Sequence, residues 1–309
     1  MLAERPSTYC GTLTPEDIVR EVKHLPSAPK VLPRLKRLLC DGNSAMHEIV
    51  SFIRLDPGIA ARVLQMGNSA YFSKGVRCLT VDEAVNRVGY DQVYELVSYA
   101  VASQVLVRPL EVYSIDADES WKMSVACALA AEALAARTGQ DRSVAYTIGL
   151  LHGVGMVAID EWALRNARSL VLLTAGFPRE AVESERAVFG FTQAETGEAL
   201  LKHWGFPVSI AEPVRWQYAP RSSAVHLRMA CLLHAAKWLR SVVCAPAGVA
   251  RPAPPDASQL LPLALNPAAL AGMVEGIAER LAEVSSLLEA KNGGGGSERS
   301  RFPSQSWGA

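Results

Sequence analysis

The chain has 309 residues, half of them apolar and 20% charged. That is a globular composition with enough length for one large or two modest cores, and it excludes a disordered chain. With 31 basic and 31 acidic residues there is no global field to draw nucleic acid or an anionic membrane, and neither is expected as a partner. The basic residues between Arg20 and Arg37 are diluted by Glu16, Asp17 and Glu21 and read as a solvated helix face. Six cysteines without a Cys-x-x-Cys pair point to reduced buried thiols and a cytoplasmic setting. No signal pattern opens the chain, and no apolar run of about 18 residues predicts a membrane span.

Residues 1–13 read as a flexible arm. Thr14-Pro15-Glu16-Asp17 then starts a helix: a capping hydroxyl, a proline at the first helical position, and two acids at the positive end of the dipole. A proline-marked break at 24–29 precedes helices at 31–39 and about 44–54. Asp56-Pro57 opens the next helix by the same cap-then-proline logic. Thr80-Val81-Asp82-Glu83 is a capping box whose helix ends at Gly89. An apolar helix over 94–107 and an acidic loop over 110–118 follow. The alanine-rich run from Trp121 to Arg137 predicts a central helix, because small side chains let neighbours approach closely.

A helix from Asp141 to about Ile159 carries His152, and further helices are expected at 162–174, 178–188, 192–204, 207–218 and 225–243. Residues 244–262, rich in proline and alanine, read as a loop or linker. A C-terminal helix is expected over 263–290, and the glycine-rich stretch 291–309 as a disordered tail. No alternation of apolar and polar residues opposes the helical period, so the fold class is all-α, with residues 14–243 as the main domain.

Three segments carry a resemblance. Asp56-Pro57 through Asn68-Ser69-Ala70-Tyr71-Phe72 is an Asp-Pro helix followed by an Asn-Ser-Ala turn. Thr80-Val81-Asp82-Glu83 to Val88-Gly89 is a capped helix ending in glycine. Gly149-Leu150-Leu151-His152-Gly153-Val154-Gly155 is the third. In this order the three resemble the HDOD family, the HD-related output domains of bacterial signalling proteins, across about 14–220. The resemblance implies a multi-helix HD-like bundle with an N-terminal helical lobe and an additional C-terminal helix. It also implies a regulatory role exercised through other signalling proteins, with self-association as a further expectation.

Catalytic relatives in the HD superfamily hold divalent ions with a His-Asp pair and several further ligands, and an ion needs several donors to be held and to acidify a bound water. Here the His-Asp pair is His152-Gly153. Met123, Gln193 and Gln217 stand where the resemblance implies histidines, and Ala235-Ala236 stand near the closing aspartate. One ligand cannot hold a hard dication, so the site reads as degenerate: no catalytic residue, no metal and no cofactor. His152 itself is expected as a core histidine hydrogen-bonded to a neighbouring carbonyl. Asn68 and Ser69 read as turn residues, with partner contact as the alternative. Trp204, Trp216 and Trp238 serve as gap-fillers between helices or as interface anchors. The leading reading is a non-catalytic signalling and protein-interaction module. Two alternatives stand beside it: a residual metal-dependent phosphohydrolase acting on a nucleotide or cyclic dinucleotide, and a catalytically dead nucleotide sensor. The sensor needs convergent basic residues, for which Arg215 is the sequence candidate.

Overall fold

Capping chemistry sets where the helices begin. In the computed structural model, Asp17 N–H bonds the Thr14 hydroxyl at 3.3 Å while the Asp17 carboxylate accepts Thr14 N–H at 3.1 Å, closing a capping box at the head of α1 (Pro15–Glu21). The structure describes residues 13–22, 46–73, 75–89, 109–166, 181–246 and 248–289, with a few single positions between them. The helices expected at 31–39 and 94–107, the arm and the tail lie essentially outside these. Helix α2 (Met46–Ile53) leads to α3 (Pro57–Asn68), capped by the buried Asp56, and then to α4 (Val81–Val88), capped by Thr80 and closed at Gly89 with φ of 89°. These three form the N-terminal lobe.

The bundle is built on α5 (Ala117–Thr138), capped by Asp116 and ended at Gly139. It packs against α6 (Arg142–Leu151), the long α11 (Leu227–Val243) and the last helix, α14 (Val274–Glu289). Helix α7 (Val154–Arg165) follows α6 after a break at His152-Gly153 and packs against α9 (Gln193–His203), which also meets α10 (Val208–Arg215). The short α8 (Val182–Phe189), α12 (Ala257–Leu260) and α13 (Pro267–Ala271) complete the set. Among the described residues there is no strand, only one isolated bridge between Leu110 and Ile115. The all-α expectation is met.

Two glycines explain why the helices sit so close. A Cβ on Gly149 would lie 2.7 Å from the Cys127 carbonyl oxygen and 2.8 Å from Ala128 Cα, so α5 and α6 touch backbone to backbone there. A Cβ on Gly155 would lie 1.8 Å from the Gln193 carbonyl oxygen and 2.7 Å from Gly197 N, which locks α7 onto α9. Residues 142–165 are apolar enough in length and composition to cross a membrane, but 89% of the apolar window is buried in the bundle, as befits a core helix.

The lobe is tied to the bundle by Trp121, whose indole N–H donates to the Leu55 carbonyl at 2.9 Å, and by Tyr146, whose hydroxyl donates to the Arg54 carbonyl at 2.9 Å. Glu132 on α5 faces Arg54, Arg142 and Arg280, the last at 2.6 Å, so one carboxylate joins the lobe, α6 and α14.

Three boundaries differ from the sequence reading. The helix after Asp141 does not end near Ile159; it breaks at His152-Gly153 and resumes to Arg165. The break carries neither proline nor a side-chain cap, and Gly153, the N-cap of α7, is its local mark. Residues 170–172 are not helical: Leu172 N–H donates to the Val112 carbonyl at 2.8 Å. The last helix is split at Gly272-Met273. The acidic segment 110–118 is a buried clasp. Val112, Tyr113 and Ile115 are in the core, Asp160 accepts Val112 N–H at 2.8 Å, and the Tyr113 hydroxyl donates to Glu185 at 2.8 Å.

Candidate functional site

His152 caps α6 and is 1% exposed. Its Nδ1 lies 2.7 Å from the Gly149 carbonyl oxygen. A carbonyl oxygen only accepts, so Nδ1 carries the proton and Nε2 presents a lone pair. That lone pair meets Nη1 of Arg240 at 2.7 Å. A guanidinium is always protonated and only donates, so the pair is satisfied with a neutral imidazole. The environment enforces this state. Burial pushes the His152 pKa well below its ordinary value of 6.5, and the positive charges of Arg240 and then Lys237 push it further, against a smaller opposing effect of the Gly149 carbonyl.

Arg240 is 1% exposed on α11, and Lys237 one turn earlier is 5% exposed. The Lys237 ammonium sits 3.5 Å from the centre of the Tyr218 ring, a cation–π contact. The Tyr218 hydroxyl accepts from Gln193 Nε2 at 2.7 Å. Gln217 donates from Nε2 to the His152 carbonyl at 3.0 Å and to the Val214 carbonyl at 2.9 Å. His234 Nδ1 lies 2.9 Å from the Gln217 carbonyl oxygen. Helices α6, α9 and α11 and the turn after α10 thus converge on one buried polar cluster.

Of the residues singled out from sequence, the structure joins His152 and Gln217 directly and Gln193 through Tyr218. Gly153 stands beside His152 as the first residue before α7, without a side chain to contribute. Met123 is buried on α5 and lines a pocket of about 600 Å³ with Cys244 and Leu281. Asn68 closes the turn after α3: its side chain accepts Cys78 N–H at 2.7 Å and donates to the Cys78 carbonyl at 3.1 Å, while Ser69 ends the helix. Trp216 ends α10 with the Arg215 guanidinium 5.1 Å from its ring. Arg215, the basic residue singled out near the pocket, pairs with Glu198 at 3.0 Å and with Glu195 at 3.7 Å. The cations that do reach His152 were missed. Lys237 and Arg240 fall three apart on α11, which places both charges on one face of the helix.

A divalent ion does not fit this donor set. The imidazole nitrogen that would ligate it is held by a guanidinium, a second buried cation lies one turn away, and the neighbouring donors are carboxamides and a phenol. Glu185 is engaged by Tyr113 and by Gln193 N–H at 2.9 Å. Among the described residues no group of three or more histidine, cysteine or acidic side chains could hold a metal.

Comparison with known proteins agrees with this architecture. An uncharacterized protein of Treponema pallidum (strain Nichols) is 26% identical over 205 residues, 65% of this chain and 39% of that protein, so the chain spans about two fifths of that relative's length. The fold is similar to the MmoQ response regulator from Methylococcus capsulatus str. Bath, with a TM-score of 0.64 at 20% identity, covering 82% of this chain and 99% of the other. It is also similar to a virulence factor from Campylobacter jejuni subsp. jejuni, with a TM-score of 0.60 at 17% identity, covering 73% and 82%. The profile of the HDOD domain matches residues 25–220. With the helical bundle and the three motifs in place, the chain belongs to the HDOD family.

Proposed function

We propose that this chain is a non-catalytic signal-transduction module that acts by binding other proteins, and that Arg240 is a permanent internal cation where catalytic relatives carry a metal. The observation that carries this reading is the 2.7 Å contact between Arg240 Nη1 and His152 Nε2. A buried guanidinium bonded to an imidazole consumes the one ligand the motif retains. It also sets a positive charge against any incoming dication at close range. A hydrogen bond to a charged group contributes about 1.5–3 kcal/mol, so the arrangement resists rearrangement to a metal-binding form. One protein of similar fold is a response regulator, which is consistent with the reading by analogy of fold alone.

The nucleotide-sensor alternative requires convergent basic residues. Lys237 and Arg240 are such residues, but both are buried and engaged, Lys237 with the Tyr218 ring and Arg240 with His152, which favours a structural use. The test is elemental analysis of the purified full chain, combined with hydrolysis assays on mononucleotides and cyclic dinucleotides in added Mn²⁺, Mg²⁺ or Fe²⁺. The expected result is no stoichiometric metal and no turnover. Stoichiometric metal lost in His152→Ala, or hydrolysis abolished by that substitution, overturns the proposal.

A further inference from the structure

The segment after α11 returns across that helix instead of leaving it. From 251 to 256 the backbone belongs to no helix. Pro255 is nevertheless buried and Pro252 half-buried, while Ala253 and Pro254 are exposed. Burial at positions three apart is the period of a polyproline II segment, which has three residues per turn and no internal hydrogen bonds. The Pro252 carbonyl accepts the indole N–H of Trp238 at 3.0 Å. Residues 252–255 and α11 enclose a cleft of about 290 Å³, walled on the helix side by Tyr218, His234, Lys237, Trp238 and Ser241. An aromatic wall, an indole donor aimed at a backbone carbonyl, and prolines spaced by three are the elements by which grooves recognise proline-rich ligands.

We propose that this face of α11 is a proline-recognition groove held shut in cis by residues 252–255, and that its partner is a Pro-x-x-Pro segment of another protein. The covering segment is itself the evidence for the ligand's chemistry: two prolines three residues apart line the cleft, and one carbonyl accepts from Trp238. The inference rests on the protein-binding reading above and names the kind of partner it implies. The strap is tethered by α11 on one side and α12 on the other, so its effective concentration is of millimolar order, and a free ligand binds the closed chain weakly. Opening the strap unmasks the groove.

The test uses a labelled peptide with the chain's own sequence over residues 249–257, titrated into the full-length chain and followed by fluorescence anisotropy. A variant carrying Pro252→Ala and Pro255→Ala is expected to bind the peptide about tenfold or more tighter than the unmodified chain, since the intramolecular competitor is weakened. A peptide with alanine at both proline positions is expected not to bind. Adding Trp238→Phe, which keeps an aromatic ring and removes the donor, is expected to weaken binding several-fold. The inference is overturned if the opened variant, shown folded by circular dichroism, ignores the peptide or binds the proline-free peptide equally well. Should that variant not fold, the unmodified chain decides. The Trp238 indole N–H resonance is expected to shift on addition of millimolar peptide, and an unmoved resonance overturns the inference. A metal-free, non-hydrolytic chain that ignores the peptide defeats this inference alone; a metal-loaded hydrolase defeats the reading beneath it.

Discussion

His152 makes the stability of this protein depend on pH in a window that one substitution can isolate. In the unfolded chain its imidazole takes up a proton near the ordinary value of 6.5; in the native chain, burial and the charges of Arg240 and Lys237 hold it neutral well below that. Between those two values the unfolded state binds more protons than the native state, so stability rises with pH up to about 6.5 and is level above it. Below 6.5 the slope from this one residue approaches about 1.4 kcal/mol per pH unit, and the loss between pH 7 and pH 5 reaches about 2 kcal/mol. Burial is the largest cause of the shift, so Arg240→Met is expected to leave much of the slope in place. His152→Gln, which cannot titrate, is expected to remove it. The assay is urea denaturation of the full chain at several pH values from 7.5 to 5, above the range where carboxylates dominate, with the His152→Gln curve subtracted. Parallel curves for the two proteins across this window would refute the argument, because they would mean that native His152 protonates as readily as the unfolded residue.

The two glycines around His152 are expected to behave oppositely. Gly155→Ala drives a methyl to within 1.8 Å of the Gln193 carbonyl oxygen and should cost about 3 kcal/mol or more, at the upper end of overpacking penalties. Gly153→Ala meets only the mobile tip of Met156 at 3.0 Å, with an ordinary backbone φ of −98°, and should change stability by less than about 1 kcal/mol. Denaturant midpoints of the two variants measure the difference directly. Asn68→Ala removes both hydrogen bonds to the buried Cys78 backbone and should cost about 2–3 kcal/mol by leaving a donor and an acceptor unsatisfied. Thermal unfolding checks this, and an unchanged midpoint would show that the turn after α3 is held by other contacts.

Much of the fold was legible because the helix starts are written in short-range chemistry. Thr14, Asp56, Thr80 and Asp141 each cap a helix with their own side chain, and a side chain three residues from its partner needs no tertiary information. The Asp116 cap lies in the segment expected as an acidic loop, and α5 starts at Ala117 rather than at Trp121. The break at His152-Gly153 was not read from the sequence, because Gly153 is a weak signal within an apolar helical run and α7 packs on α9 only in the folded chain, at Gly155 and Gly197. His152 was readable as a core histidine bonded to a carbonyl, which is the Gly149 contact at 2.7 Å. Met123, buried on α5, lines a pocket with Cys244 and Leu281 of α14. Arg240 and Lys237 were missed because a cation is ordinarily assigned to solvent. Their burial becomes visible only when α11 is placed against α5 and α6.

Nitrogen-15 NMR of the His152 imidazole, recorded from pH 8 to pH 5 with and without excess Zn²⁺ or Mn²⁺, tests most directly whether a guanidinium has taken the place of an ion. The account predicts a neutral ring protonated on Nδ1 throughout, an Nε2 signal typical of a hydrogen-bonded acceptor that moves in Arg240→Met, and no change with metal. An Nε2 resonance that shifts or broadens on stoichiometric metal addition while the Arg240 side-chain signals are released would contradict it.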